Sequence, residues 1–269
     1  MSNLEIYCVT NKKLSFLENT TLKLAAVGKD IFSDRYLKCD NKINIYDREK
    51  YYSELTFHYW YWKNCLNDSK KDWIGFCQKR RFWIKENSKG HKISKENLIE
   101  HLLTEIPQDL SSYESFLCEP IYVNKVKKIK MLKKGFKSLL KNPLIFFNSE
   151  IQSLKFHFDM HHGDGNLNKA IGCLNNNDRE DFREYMFKNV SFHPHIMFIT
   201  KPNIAEKWFS DLFSWLFECE KIFGFKDLVG YEKKRLYAFL AERYLSFWFN
   251  KYCKIKNSPW IFYDTTLNV

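Results

Sequence analysis

The chain has no CxxC pair, no GxGxxG or GxxxxGK[ST] loop, no HExxH and no DxD. Its eight cysteines (Cys8, Cys39, Cys65, Cys77, Cys118, Cys173, Cys219 and Cys253) stand singly, without zinc-ribbon or thioredoxin-type spacing. Such cysteines are expected to be small buried apolar residues of a cytoplasmic protein. The missing glycine loops remove most of the warrant for a dinucleotide-binding Rossmann site or a P-loop NTPase. No stretch reaches about 18 uninterrupted apolar residues, so no transmembrane helix is expected. The start, MSNLEIYCVTNKK, has no basic region followed by a long apolar run, so no secretory signal is expected either. Acid is missing locally: none lies between Glu119 and Glu150, an interval that holds Lys125, Lys127, Lys128, Lys130, Lys133, Lys134, Lys137 and Lys141.

What is present points to a folded chain. Over 269 residues the hydrophobic content is 45% and the aromatic content 17%, which argues against disorder. One domain, 1–269, is expected, with 124–148 as a basic amphipathic helical segment. The formal charge of +11 implies an acidic partner: a nucleotide, an anionic membrane surface or nucleic acid. Strand patterns fall at Glu5–Thr10, Leu22–Gly28, Trp73–Cys77, Phe116–Val123, His195–Thr200 and Ser258–Tyr263, while Lys29–Asp47 reads as irregular. Helices are predicted over Tyr51–Leu66, over Lys95–Thr104 with Ser94 as N-cap, over Gln152–Met160 and Leu167–Leu174, over Arg179–Phe187 with Asp178 as N-cap, and over Ala205–Phe223 and Lys233–Tyr252. Strands and helices alternate in the first half and helices dominate the second. The expected class is α/β with a mainly helical C-terminal part.

One stretch carries the clearest chemistry: Tyr51–Trp83, YYSELTFHYWYWKNCLNDSKKDWIGFCQKRRFW. Its first half is an aromatic helix with Glu54, Thr56, Lys63 and Asn64 set among the rings. Its second half is an apolar strand running straight into Lys79, Arg80 and Arg81. Adjacent guanidinium forks at a strand end match phosphate oxygens bidentately. A carboxylate inside an aromatic helix is costly to bury alone, so Glu54 is expected to pair with an arginine or to bind a hydroxyl. The plain alternative is a core helix followed by a solvated basic loop. Further along, His157, His161, His162, Asp159 and Asp164 surround a glycine-broken loop, Gly163-Asp164-Gly165. No metalloenzyme spacing is present, so a divalent metal is not the favoured reading. Val126, Ile129, Leu132, Phe136, Leu139 and Leu140 recur at helical spacing, opposite most of the lysines, which is the form of an interfacial helix.

YSELTFHYWYWKN followed by WIGFCQKRRFW resembles the signature of a bacterial glycosyltransferase family, long described as a domain of unknown function, whose characterised relatives are galactofuranosyltransferases of surface-polysaccharide synthesis. The blocks of its pattern occur here in order: Ile6–Thr10 with Lys12; Asp40 with Asn44-Ile45; Tyr52, Glu54, Leu55, Thr56, Tyr59, Trp60, Trp62, Lys63 and Asn64; Ile74, Gly75, Arg80, Arg81 and Phe82; His161-His162; Met197-Phe198-Ile199; Trp215-Leu216-Phe217; and Ala241-Glu242-Arg243. The chain departs from the pattern at Gln78, where the family often has histidine, at Glu49 and at Ile43.

The resemblance implies a GT-A-like Rossmann-type core and an inverting transfer of a sugar, in the galactofuranosyl case a hexofuranose, from a nucleotide-sugar donor that is UDP-linked. The acceptor would be a glycan or lipid-linked glycan of capsule or lipopolysaccharide. It implies donor contacts at Thr10, Lys12, Asn44, Glu54, Thr56, Tyr59, Lys63, Asn64, Arg80, Arg81, Glu242 and Arg243. The catalytic candidates are Glu54 and, from the glycine-broken loop, His162 and Asp164, one of which is expected to face the acceptor as base; a solvated loop is the plain alternative. The departing nucleoside diphosphate gains charge that must be neutralised. Where many GT-A enzymes place a metal-binding DxD, this chain has Arg80-Arg81, so no cofactor and no metal is expected. Lys127, Lys128, Lys130, Lys133, Lys134 and Lys137 are expected to face an anionic inner-membrane surface, giving a cytoplasmic protein held at the membrane periphery, with no nucleic acid as partner. The competing readings are a nucleic-acid-binding protein and a non-catalytic scaffold relative.

Overall fold

The structure is a computed structural model that describes residues 3–263. Among these the strands are β1 (Leu4–Thr10), β2 (Lys23–Ala26), β3 (Tyr36–Lys38), β4 (Trp73–Gln78), β5 (Arg81–Trp83), β6 (Ser115–Cys118), β7 (Ile121–Tyr122), β8 (Ser191–Phe192), β9 (Phe198–Thr200), β10 (Ile255–Ser258) and β11 (Trp260–Phe262). The helices are α1 (Glu49–Tyr52), α2 (Leu55–Asn64), α3 (Leu98–His101), α4 (Lys128–Lys134), α5 (Phe136–Lys141), α6 (Leu154–His162), α7 (Asn166–Gly172), α8 (Asn176–Lys188), α9 (Pro202–Phe223), α10 (Tyr231–Lys234) and α11 (Leu236–Tyr252). The fold is α/β, with a parallel-rich sheet formed mainly by the first half and a mainly helical later part. Among the described residues no helix is long and apolar enough to cross a membrane.

The chain divides into two compact units. The first takes the residues up to Glu119, His195–Ser210 and the chain from Phe249 onward. Its sheet runs β10-β6-β9-β4-β1-β2-β3, with β5 attached to β4 and β11 to β5. β3, β2, β1 and β4 are mutually parallel, while β9 runs against both β4 and β6. Strands buried on both faces read as unbroken apolar runs, which is why β1 and β4 are so visible in the sequence. Gly75 permits close packing in β4: a Cβ there would lie 2.9 Å from Ile199 Cγ1 and 3.2 Å from Ile6 Cγ1. α2 covers one face through rings, with Tyr61 4.6 Å and Phe57 5.6 Å from Tyr7, and His58 4.4 Å from Phe76. Trp73, Trp83, Leu98, Leu102 and Phe116 belong to a second apolar cluster.

The order of the parallel strands reverses at β1, with β2 on one side and β4 on the other. In open α/β sheets ligands bind beyond the carboxyl ends of the strands at such a switch point. The candidate residues Thr10, Lys12, Arg80 and Arg81 follow or end these two strands.

The second unit comprises Pro120–Pro194 and Asp211–Trp248. Trp215 donates to Ala170 O at 2.7 Å, and its ring lies 4.8 Å from Tyr244. α8 is capped by Asn175, whose side chain accepts from Asp178 N, and not by Asp178 as expected. Asp178 is buried, and its carboxylate accepts from the Tyr244 hydroxyl at 2.8 Å.

The helix expected at Lys95–Thr104 shrinks to α3. Asn97 accepts from Ser94 N at 2.7 Å, which makes the preceding residues a turn, and a bridge between Ile84 and Leu102 ends the helix. The basic segment is helical but is not one helix. It stops at Gly135, where a Cβ would lie 2.9 Å from Met131 O, and it ends before Pro143, with Asn142 accepting from Leu144 N. β3, expected as irregular, is a three-residue edge strand with one buried side chain, too short to show a period.

Candidate active site

The C-terminal edge of the first unit's sheet gathers cations. Thr10 is buried. Its hydroxyl donates to Lys12 O at 2.6 Å and accepts from Lys12 N at 3.1 Å, which shapes the turn that leaves Lys12 exposed. Lys79 N donates to Val9 O, and Lys79 Nζ to Asn11 Oδ1 at 2.5 Å, so the loops after β1 and β4 are joined. Lys79 and Arg80 form the tight β4–β5 turn and Arg81 opens β5; the two guanidiniums lie 5.7 and 5.4 Å from the Phe262 ring.

Gln78, the last residue of β4, links the other groups. Its Nε2 donates to Glu54 Oε1 at 2.6 Å and to His195 O at 2.7 Å, while its Oε1 accepts from Arg81 at 3.1 Å. One amide thus spaces a carboxylate from a guanidinium at the end of a central strand. Glu54 reaches this point because Ser53, at φ 54°, turns the chain between α1 and α2. His195 and Ile196 are consecutive left-handed residues, at φ 78° and 51°. For a β-branched residue this is an outlier, and such strain clusters at functional sites. The His195 ring lies 4.9 Å from Trp260. Burial, with the Arg81 charge behind it, pushes its pKa down to about 3, so it is neutral near pH 7.

The remaining candidates of this unit lie on α2 and in the loop around Asn44. Buried Thr56 donates to Ser53 O at 2.7 Å. Tyr59 lies edge-on to Trp62 at 5.9 Å, and Lys63 Nζ sits 3.3 Å from the Trp62 ring. Asn64 donates to Ile43 O and to Trp60 O, and Asn44 accepts from Tyr46 N at 3.0 Å. The two asparagines hold the loop that places Tyr46. That loop borders a cavity of about 190 Å³ at the ends of β2 and β3, lined among others by Gly28, Asp30, Phe32, Lys38, Asp40 and Tyr46. Gly28, at φ 80°, turns its carbonyl to accept from the Tyr46 hydroxyl.

His162, Asp164, Glu242 and Arg243 lie in the second unit. His162 is buried, its Nδ1 is 2.8 Å from Glu232 O, and its ring stacks on Phe239 at 4.0 Å. Burial, followed by the Arg243 charge, pushes its pKa down to about 3. Asp164 is ion-paired with Lys141 at 2.7 Å, and that hydrogen bond holds its carboxyl below the usual range. Buried Arg243 pairs with Glu242 at 2.7 Å, sits 3.6 Å from the Phe192 ring and lies 3.3 Å from His157 Nδ1. Among the described residues no group of three or more His, Cys, Asp or Glu side chains is arranged to hold a metal ion.

The structure therefore gathers Thr10, Lys12, Glu54, Arg80 and Arg81 at one sheet edge and adds two residues that sequence reasoning missed. Gln78 looked like a departure from a pattern, and His195 was read as the first residue of a strand, which the left-handed backbone at His195 and Ile196 instead starts at Phe198. The usable signal for Gln78 was its place at the end of an apolar strand, directly before the basic turn.

A family model described as a domain of unknown function (DUF4422) matches residues 5–254. No curated protein matches the chain. Among solved structures, the apo structure of the WbbM bifunctional glycosyltransferase matches with a TM-score of 0.74 at 20% identity. The match covers 98% of this chain and 46% of that one, so the chain spans less than half of that protein, and the likeness is one of fold.

Proposed function

The chain belongs to the DUF4422 family, and from that premise we propose that it is a glycosyltransferase with a GT-A-like core, which moves a sugar from a UDP-linked donor to a glycan of capsule or lipopolysaccharide. The observation that carries the reading is the switch-point edge. Lys12, Lys79, Arg80 and Arg81 stand at the ends of β1 and β4, with Glu54 held one amide away from Arg81. The shared fold with a glycosyltransferase structure supports it, and the resemblance of Tyr52–Asn64 and Ile74–Phe82 favours a hexofuranosyl donor and inversion.

In this reading the cations receive the diphosphate as it gains charge, and catalysis proceeds without a metal. Their positions are set before the reaction by the strand ends, so little reorganisation is needed. The cavity beside Asp40 and Tyr46 takes the nucleoside. Glu54 is the best of the three catalytic candidates for the acceptor base, because it stands beside the cations at the end of β4, whereas His162 and Asp164 belong to the second unit. Burial also keeps His162 neutral, and Asp164 is committed to Lys141. The second unit's Glu242 and Arg243 act as a buried pair that shapes its core. A lipid-linked acceptor met at the inner face of the cytoplasmic membrane completes the proposal.

The test is thermal stabilisation of the purified chain by UDP and a panel of UDP-sugars, then donor hydrolysis with and without EDTA. Stabilisation by UDP, none by oligonucleotides, and turnover that survives EDTA are expected. Loss of turnover in EDTA with recovery in manganese would overturn the metal-free mechanism, and stabilisation by oligonucleotides alone would overturn the transferase.

A further inference from the structure

A single amphipathic helix could hide its apolar stripe against the second unit and leave its lysines in water. The breaks at Gly135 and Pro143 prevent this. Met131, Leu139 and Ile145 turn inward onto Phe156 and Met160. Ile129, Leu132, Phe136, Leu140, Leu144 and Phe147 stay outside, each between 51% (Leu132) and 78% (Phe147) exposed. Six large apolar side chains within one short stretch exceed the scattered exposure that needs no explanation. The lysines of the same stretch are exposed as well. Lys134 pairs with Glu232 and Lys141 with Asp164. Lys127, Lys128, Lys130, Lys133 and Lys137 have no carboxylate partner among the described residues.

We propose that 128–147 is a docking surface for an anionic lipid bilayer. The chemistry selects that occupant over others. The core of a protein interface is depleted in lysine, whereas here lysines alternate with the apolar side chains throughout. A nucleic-acid surface would offer rings for stacking, but four of the six exposed side chains are aliphatic. Apolar side chains that enter the acyl boundary while flanking lysine stems carry their charges up to phosphate headgroups make an interfacial anchor. No acid between Glu119 and Glu150 opposes that field. This surface lies wholly within the second unit and stands independently of the transfer reaction.

The experiment is co-sedimentation of the full chain with phosphatidylcholine vesicles, with and without phosphatidylglycerol, at low and high salt. Binding only where phosphatidylglycerol is present, released by salt, is expected. Replacing Lys127, Lys130, Lys133 and Lys137 by glutamine together should weaken partitioning by more than about 100-fold. Replacing Leu140 and Phe147 by serine should weaken it at every salt concentration. Circular dichroism and melting temperatures equal to the parent's establish that the variants are folded, and UDP stabilisation on the same samples reports separately on the donor site. The proposal is overturned if the folded parent ignores phosphatidylglycerol or if both variants bind as the parent does. It also fails if the serine variant converts an oligomer to a monomer, since a second copy then covers the face, or if single-stranded DNA binds with the same dependence on both sets of residues.

Discussion

Gln78 is the residue on which the cation-lined sheet edge depends most. It is held by Glu54, the His195 carbonyl and Arg81 at once, so removing its amide takes one hydrogen bond from each of three polar groups in a half-buried place. Each buried polar group left without its bond costs about 1–3 kcal/mol. Gln78→Leu should therefore lower kcat/KM by roughly tenfold to a hundredfold. Gln78→His, the residue that the resembled pattern carries at this place, keeps a donor and an acceptor and should retain most activity. Arg81→Lys loses the planar fork while keeping the charge, and should weaken UDP binding about tenfold in calorimetry. Equal activity in the leucine and histidine variants would remove Gln78 from the site. Glu54 and the two arginines were legible because charge inside an apolar context is informative. Gln78 and His195 were not, since a glutamine at a strand end carries no chemical signature and left-handed backbone at histidine and isoleucine cannot be read from residue type.

At the scale of elements, legibility followed burial. β1, β4 and α9 bury long apolar faces and were visible as runs or periods. β5 and β11 pair antiparallel over three residues each, and their place depends on a partner almost 180 residues away in sequence, which local pattern cannot supply. The basic segment was visible as helical, but its break was not, because the contact that requires Gly135 is to the Phe156 ring as well as to the preceding turn. β4 links packing to the candidate site directly. Gly75 lies within it, with Ile6 of β1 and Ile199 of β9 closing over the missing side chain. Gly75→Ala would overpack this layer, which typically costs about 1–3 kcal/mol. The expected outcome is a lower melting temperature together with weaker stabilisation by UDP, because β4 carries Gln78 and leads directly into the turn and strand that hold the two arginines. An unchanged melting temperature would show that β4 and β9 can separate freely, against the packing described.

For the whole molecule, buried histidine sets a limit on the acid side. His58 lies in an apolar nest of Phe76, Phe198 and Phe209, and its Nδ1 has no hydrogen-bond partner among the described residues. Burial pushes its pKa from 6.5 down to about 3. In the second unit burial does the same to His157, down to about 2, and to His162, down to about 3, with the Arg243 charge adding to both. In the unfolded chain these imidazoles take protons below pH about 6.5, whereas in the folded chain they stay neutral until far lower pH. Acid therefore favours the unfolded chain, and stability present above 6.5 is lost as pH falls towards 3. At pH 5 each such group costs about 2 kcal/mol, and three together take a large part of the 5–15 kcal/mol typical of a folded chain. Both units carry such a group, so both should weaken. Urea unfolding from pH 7.5 to 5 should show a midpoint that falls steadily below about pH 6.5. His58→Phe keeps the ring in an aromatic setting and removes the proton site, so its midpoint should fall less steeply than the parent's. A parent midpoint that stays flat down to pH 5 would mean that these imidazoles are hydrated in the folded chain, and the packing of α2 against β4 would have to be looser than the ring contacts describe.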